Sequence, residues 1–289
     1  RIKYDYKIRI IGSNISLDRF YSNDVSYSII EELIKVSSPE TNEKTIFIWP
    51  EGVNPNISQE ELKEFNWLLD GKFNENHLLI IGTNSQLLSN GSKKFFNSLS
   101  VYDNELNLLD SYNKIKLVPF GEFLPFENIL KKVGLRSLTN NYQSFSSGKK
   151  REIIKIKQKN FSLKILPLIC YEIIYSGGLF KDSNFDLIVN ISEDGWFGNS
   201  IGPDQHFAKS IFRAIESNTF LLRSTNRGVS AIIDNKGDVI KRINRNEAGN
   251  IEFEVPLIKS NKIKNDLIFF ILLITYLLIF LIYKKQNAK

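Results

Sequence analysis

The chain has 289 residues, 42% hydrophobic and 24% charged, with 38 Lys and Arg against 32 Asp and Glu for a net charge of +6. That balance supplies enough apolar surface for one large core or two modest ones and excludes a disordered polymer. No stripe of Lys and Arg interleaved with aromatics stands out, which argues against nucleic acid as a partner; the mild basic excess fits an anionic membrane surface or an ordinary basic exterior. One cysteine, Cys170, rules out an intrachain disulfide. The chain starts at Arg1 and has no methionine, so it reads as a portion of a longer product.

Residues 6–11 read as a first strand, and 25–36 as a helix with Ile29, Ile30, Leu33 and Ile34 on one face. A short β-branched run over 45–49 ends at Pro50. Ser58-Gln59-Glu60-Glu61 has the pattern of a capping box, with Leu62, Phe65 and Leu69 on the helical face that follows. Residues 78–82 predict another strand, 98–103 and 106–112 a hairpin, and 126–133 a short helix. In the second half, strands over 152–156 and 162–169 flank the turn Gln158-Lys159-Asn160. Pro167 inside the second of them predicts a late entry into the ladder or a bulge. A strand over 185–191 precedes a helix over 205–217 with Phe207, Ile211, Ala214 and Ile215 on one face. Strands over 220–224, 229–234, 238–243 and 251–255 follow. Strands interleaved with helices predict α/β layering.

The tail differs from all of this. Residues 267–283 carry no charge; at about 1.5 Å per residue they reach roughly 25 Å, the short end of a membrane-spanning helix. Lysines bracket the segment almost symmetrically, so charge alone assigns no direction.

Three polar positions stand beside apolar runs. Glu51 follows Ile46-Phe47-Ile48-Trp49-Pro50, Lys114 precedes Leu117-Val118-Pro119-Phe120-Gly121-Glu122, and Cys170 follows Ile165-Leu166-Pro167-Leu168-Ile169. Carboxylate, amine and thiol together suffice for acyl transfer through a thioester, as base, oxyanion partner and nucleophile. Each has a plainer reading in isolation: a loop carboxylate, a surface lysine, an inert buried thiol. Tyr171 and Glu172 directly after the cysteine put polar groups where a core strand would stay apolar. Trp49 and Pro50 would shelter Glu51 in an apolar wall, an environment that raises a carboxyl pKa. Glu122 is placed to hold Lys114 charged, and Glu172 to do similar work beside the sulfur. The two histidines offer a weaker base: His77 reads as solvated loop surface and His206 as a structural residue at a helix start. Ser192-Glu193-Asp194 is a further polar cluster at a strand end. No metal-ligand cluster is visible, and no cofactor is called for.

Trp49-Pro50-Glu51, Lys114 with its Leu-Val-Pro-Phe-Gly-Glu run, and Cys170-Tyr171-Glu172 resemble the Glu-Lys-Cys signature of the nitrilase superfamily, and within it the apolipoprotein N-acyltransferases. Tyr112-Asn113-Lys114-Ile115-Lys116 leading into that run is the discriminating stretch. Asp194-Gly195-Trp196-Phe197-Gly198, Pro203, Gln205-His206 and Arg213-Ala214-Ile215-Glu216 add matches, so the resemblance covers about residues 6–257 and the terminal helix. It implies a nitrilase-like αββα sandwich over 1–257, a linker over 258–266, a transmembrane helix over 267–283 and a cytoplasmic tail over 284–289. The domain would lie in the periplasm on a bacterial inner membrane, without the family's N-terminal bundle of membrane helices. The implied reaction takes an acyl chain from a phospholipid donor, through a Cys170 thioester, to the α-amino group of a diacylglyceryl apolipoprotein acceptor. Glu51 and Lys114 would complete the catalytic set, Glu122, Tyr171 and Glu172 would support it, and Trp196 and Phe197 would line an acyl path or pack in the core. Two positions depart from the pattern: Gly52 stands where Ser or Thr is usual, and Glu193 where Asn is usual. The rival reading is a membrane-anchored carbon–nitrogen hydrolase with water as acceptor. A non-enzymatic module would leave Glu51, Lys114 and Cys170 apart.

Overall fold

The computed structural model describes residues 5–22, 26–89, 91–125, 144–176, 184–254 and 266–287. Twelve strands among them form two six-stranded sheets. The first holds β1 (Lys7–Gly12), β2 (Thr45–Ile48), β3 (His77–Ser89), β4 (Ser92–Tyr102), β5 (Leu108–Asn113) and β12 (Gly249–Phe253), in the order β12-β1-β2-β3-β4-β5. The second holds β6 (Ile154–Gln158), β7 (Phe161–Ile169), β8 (Leu187–Glu193), β9 (Phe220–Asn226), β10 (Ser230–Ile233) and β11 (Val239–Ile243), in the order β11-β10-β9-β8-β7-β6. Each sheet has a parallel centre, β1-β2-β3 or β7-β8-β9, flanked by antiparallel strands.

The apolar clusters define four layers. Ile10, Ile48, Ile80 and Leu99 of the first sheet meet Ile165, Val189, Ile191 and Leu222 of the second in the central core. On the outer face of the first sheet, Phe47, Trp49 and Leu79 pack with Ile30 and Leu33 of α1 (Ser26–Ser37). On the outer face of the second, Leu166, Leu168 and Leu221 pack with Ala214 of α2 (Gly202–Ser217). Strict alternation along β2, Ile46 and Ile48 inward against Phe47 and Trp49 outward, is what a strand covered on both faces requires. The expected αββα sandwich is the observed fold.

Local expectations fared unevenly. The β3–β4 hairpin runs from Leu79↔Tyr102 to Ser89↔Ser92, far longer than the apolar runs suggested. Its middle is polar but paired: Thr83 bonds Ser100 at 2.7 Å and Ser85 bonds Ser98 at 2.8 Å, both buried. The capping-box bonds form, with Ser58 N–H on Glu61 Oε2 at 2.8 Å and Glu61 N–H on Ser58 Oγ at 3.3 Å, yet residues Glu61–Leu68 wind as a 3-10 segment. Pro167 causes no register shift. It pairs with Val189 of β8 but lies beyond Ile165, the last β7 residue paired to β6, so no bond on that side needs its missing N–H. The buried face of α2 carries Pro203, His206, Ser210, Arg213, Ala214 and Ser217, whereas Ile215 of the anticipated apolar stripe is 45% exposed. The expected helix over 126–133 lies outside the described residues, as does all of the expected linker except Asp266.

The carboxyl ends of the two parallel centres meet at one rim. Ser224 Oγ of β9 donates to Ile11 O at 2.6 Å and Ile48 O at 3.1 Å, and Arg227 N–H donates to Ser13 O at 2.8 Å. Sites in α/β sheets form at such ends. The final helix, α3 (Asp266–Asn287), is exposed from Phe269 to Gln286 and is long and apolar enough to cross a membrane.

Gly82 in β3 lies against the end of β2 so closely that a Cβ would fall 2.6 Å from Glu51 Cα and 2.8 Å from Pro50 O. Both are backbone atoms. Gly82→Ala is expected to cost about 1–3 kcal/mol, the usual toll of overpacking. Gly249→Ala, where a Cβ meets nothing within 4 Å, is expected to cost much less. Thermal denaturation of the two variants makes the comparison; equal midpoints would contradict the close packing behind Glu51.

Candidate active site

Glu51 follows the last residues of β2, and its carboxylate is buried in a polar setting. Oε1 accepts from Asn97 Nδ2 at 2.7 Å and Lys114 Nζ at 3.4 Å; Oε2 accepts from the Glu193 backbone N–H at 3.0 Å. The expected apolar shelter is not what surrounds it. Strand alternation turns Trp49 to the outer layer, where its Nε1 donates to Ser37 Oγ at 2.9 Å.

Lys114 stands directly after β5 and is only 1% exposed. Its ammonium donates to Glu122 Oε1 at 2.8 Å as well as to Glu51. Burial works to lower its pKa, but Glu122, Glu51 and Cys170 together hold it well above the ordinary lysine value. The loop that supplies Glu122 is stiff: Val118 N–H donates to Glu122 Oε2 at 2.8 Å, Glu122 N–H to Val118 O at 2.9 Å, and Phe120 N–H to Phe123 O at 2.7 Å.

Cys170 directly follows β7 and opens the 3-10 turn Cys170–Ile174. Its φ is +46°, the left-handed region that a non-glycine residue enters at a cost of about 1–3 kcal/mol. The half-buried thiol is pushed up in pKa by burial first, then by Glu51, Asp194 and Glu122, while Lys114 pulls it down. Those four groups and the sulfur therefore share one electrostatic neighbourhood.

Glu172 braces this turn. Completely buried, it gathers Tyr112 OH at 2.7 Å, Arg151 Nη2 at 2.7 Å and the N–H groups of Ile115 and Lys116 on Oε1, and the Ile169 N–H at 3.0 Å on Oε2. One carboxylate thus joins the segment after Lys114 to the residue before Cys170. Tyr171 is half-buried and packs edge-on against Tyr175 at 5.7 Å. Trp196 and Phe197 are 55% and 38% exposed, which removes the core-packing alternative for them. Trp196 tilts against Phe20 at 4.8 Å and Phe197 against His206 at 5.5 Å.

Several participants left no mark in the sequence. Asn97, in the middle of β4, donates one amide group to both Glu51 and Glu122, each at 2.7 Å. Behind Cys170 lies a second buried chain. Arg223 Nη2 donates to Asp194 Oδ2 at 2.8 Å, and His206 lies between Asp194 Oδ1 at 2.9 Å and the Cys170 carbonyl at 3.2 Å. A carbonyl only accepts, so His206 Nε2 carries a proton and is spent on the cysteine backbone. The structural reading of His206 holds. The other histidine differs from expectation: His77 is buried, packed edge-on against Phe47 and Phe73 and bonded to Glu40 O at 3.1 Å, because a turn closes over it from outside the sheet. Glu193 is lifted to about 7 by burial, against the pull of Arg19 and of the Asn226 and Gly195 donors.

A four-layer αββα sandwich with a carboxylate, a sunken lysine and a left-handed cysteine at one rim is the nitrilase-like class of protein. The carbon-nitrogen hydrolase family matches residues 43–264, and the chain belongs to that family. An apolipoprotein N-acyltransferase from Allorhizobium ampelinum is 30% identical over 84% of this chain and 46% of its own length; one from Caulobacter vibrioides is 30% identical over 86% and 48%. The chain spans about half the length of the curated relatives it matches. Among solved structures, an amidase from Nesterenkonia sp. AN1, with an acetamide moiety covalently added at its active site cysteine, aligns at a TM-score of 0.56 with 12% identity over 89% of this chain and 92% of its own. A nitrilase superfamily protein from Saccharomyces cerevisiae aligns at 0.55 with 16% identity over 88% and 92%. These structural likenesses establish the fold.

Arg223, His206 and Ser192 outweigh burial and hold the Asp194 carboxyl down at about 2, against 3.8 ordinarily. A depressed carboxyl contributes stability that is complete above its unfolded value and lost as pH falls through the folded one. Between about pH 4 and 2 the protein is expected to lose on the order of 2 kcal/mol from this group. Denaturant unfolding over that range should show the slope, and Asp194→Asn should lower stability at neutral pH while flattening it.

Proposed function

We propose that this chain carries the catalytic site of an apolipoprotein N-acyltransferase, working by ping-pong through a thioester on Cys170. The observation that carries the reading is the buried Glu51–Lys114–Glu122 cluster within electrostatic reach of Cys170. Burial first, and then the net negative charge of two carboxylates and one ammonium, keep the thiol protonated at rest. Transfer of the thiol proton to Glu51 moves that charge onto sulfur, beside Lys114, without changing the total. The sulfur then attacks the acyl ester carbonyl of a phospholipid. An ammonium has three donors, and Glu122 and Glu51 engage two of Lys114's. The third serves the oxyanion. Glu51 returns its proton to the departing lysophospholipid oxygen. The acceptor amine attacks the thioester, and the tetrahedral intermediate collapses to amide and thiol.

The names of the relatives support an apolipoprotein nitrogen as acceptor; on this reading it is the N-terminal amine of a diacylglyceryl apolipoprotein. The long apolar α3 supports a donor taken from the bilayer. On this reading residues 1–257 form the catalytic domain in the periplasm, 258–266 link it to a span over 267–283 of the inner membrane, and 284–289, with Lys284 and Lys285, lie in the cytoplasm. Exposed Trp196 and Phe197 line the acyl path, and Glu122, Tyr171 and Glu172 support the site.

The test is incubation of the chain, reconstituted with phospholipid carrying a labelled acyl group, with and without a diacylglyceryl-cysteine peptide. Hydroxylamine-labile label on Cys170 and transfer to the peptide amine are expected. Cys170→Ala should abolish both, and Lys114→Met should slow thioester formation by about 10²–10³, the worth of one oxyanion donor. Transfer by Cys170→Ala at the wild-type rate would overturn the reading, and release of free fatty acid as sole product would favour the hydrolase.

A further inference from the structure

One buried cation at the rim has no part in the chemistry above. Arg19 lies in the 3-10 turn Leu17–Phe20, is 2% exposed, and has every arm of its guanidinium engaged. Nε donates to Gly52 O at 2.9 Å, Nη1 to Ser16 O at 2.8 Å and Ile15 O at 3.3 Å, and Nη2 to Glu193 Oε2. Gly52 is the residue after Glu51. Glu193 is the residue whose backbone N–H holds Glu51 Oε2. Arg19 therefore grips both supports of the carboxylate, one through the chain and one through space.

The surroundings make this a fixed clamp. Asn226 Nδ2 donates at 2.8 Å to the same Glu193 oxygen that Arg19 holds, and the Gly195 N–H donates at 2.7 Å to the other, so the carboxylate offers Arg19 a stationary partner. The guanidinium lies 4.5 Å over the Phe20 ring. Phe20 in turn covers Gly52, where φ is +60° and a Cβ would meet the ring edge at 3.3 Å. Glycine at 52, where Ser or Thr was expected, and glutamate at 193, where Asn was expected, are thus two ends of one arrangement centred on Arg19.

We propose that Arg19 is a positioning residue for Glu51: by tying Gly52 O to the Glu193 carboxylate it aims the Glu51 carboxylate at the cysteine. The proposal rests on Glu51 being the thiol's base. A planar fork holds two acceptors in separate, fixed directions at once, whereas an ammonium on a flexible stem is a point charge without that fork. A buried pair that only stabilised the fold would act on unfolding and not on the thiol.

Cys170 is the only thiol in the chain, so iodoacetamide alkylation reports on it alone and needs no acyl substrate. The alkylation rate of the full chain in detergent is measured from about pH 6 to 10 for wild type, Glu51→Gln, Arg19→Gln and the double variant, with Arg19→Lys in parallel. Arg19→Gln is expected to change alkylation near neutral pH by about tenfold to a hundredfold, as misplacement of a catalytic group does, and to move the profile in the same direction as Glu51→Gln moves it. In the Glu51→Gln background the same substitution should have no further effect, because the interaction it serves is already gone. Arg19→Lys should fall between wild type and Arg19→Gln, and it carries the test if Arg19→Gln does not fold. A Glu51→Gln profile identical to wild type would overturn the base assignment itself. A shifted Glu51→Gln profile with an unshifted Arg19→Gln or Arg19→Lys profile, or an equal effect of Arg19→Gln in both backgrounds, would overturn the positioning role alone.

Discussion

A lysine ammonium sunk in a protein interior must be matched by charge, and that requirement organises this molecule. Lys114 is almost fully buried with two carboxylates on it. Removing such a group from water costs several kcal/mol unless its partners are close and well directed. Both partners are directed. Asn97 bridges Glu51 and Glu122, the turn around Val118 holds the other oxygen of Glu122, and the Glu193 N–H holds the other oxygen of Glu51. The same cluster that satisfies the lysine sets the field felt by the thiol.

The fold brings these groups together because both sheets end at one rim. Glu51 and Lys114 come from the first sheet, Cys170, Glu193 and Asp194 from the second, and Ser224 bonds across the seam to Ile11 O and Ile48 O. Cys170 sits in a left-handed turn that three contacts hold in place: Glu172 on the Ile169 N–H, His206 on the Cys170 carbonyl, and Arg223 behind His206 through Asp194. Strain of this kind persists where the surroundings over-determine it, and it puts the thiol at the end of a strand with no further strand to hide it.

Much of the architecture was legible along the chain because burial on both faces leaves a strong signal. β2, β7 and β8 are runs of Ile, Leu and Val, and each was visible as a strand. The extension of β3 beyond residue 82 and of β4 before residue 98 was not, because polar residues such as Thr83 and Ser85 look like loop residues in one dimension, although Ser100 and Ser98 satisfy them across the hairpin. α2 was legible in part: Phe207, Ile211 and Ala214 pack in the outer apolar cluster as anticipated, whereas Ile215 is exposed and the polar His206 and Arg213 are buried because they turn toward the cysteine turn and bond Cys170 O and Tyr175 O. Glu51, Lys114, Cys170 and Glu122 were legible as polar residues tied to apolar runs. Asn97, Arg19 and Arg223 were not, because a side chain whose partner lies tens of positions away leaves no local pattern.

What the sequence determined by itself was the class of fold, the candidate nucleophile and the apolar tail, since strand composition, a unique cysteine and an uncharged stretch are legible without the third dimension. Only the tertiary structure decided which carboxylate faces the lysine, that Glu172 braces the chain and that Trp49 turns away from the site. Those outcomes depend on strand alternation and on the meeting of two sheets at a rim, and direction in space is not written in the order of residues.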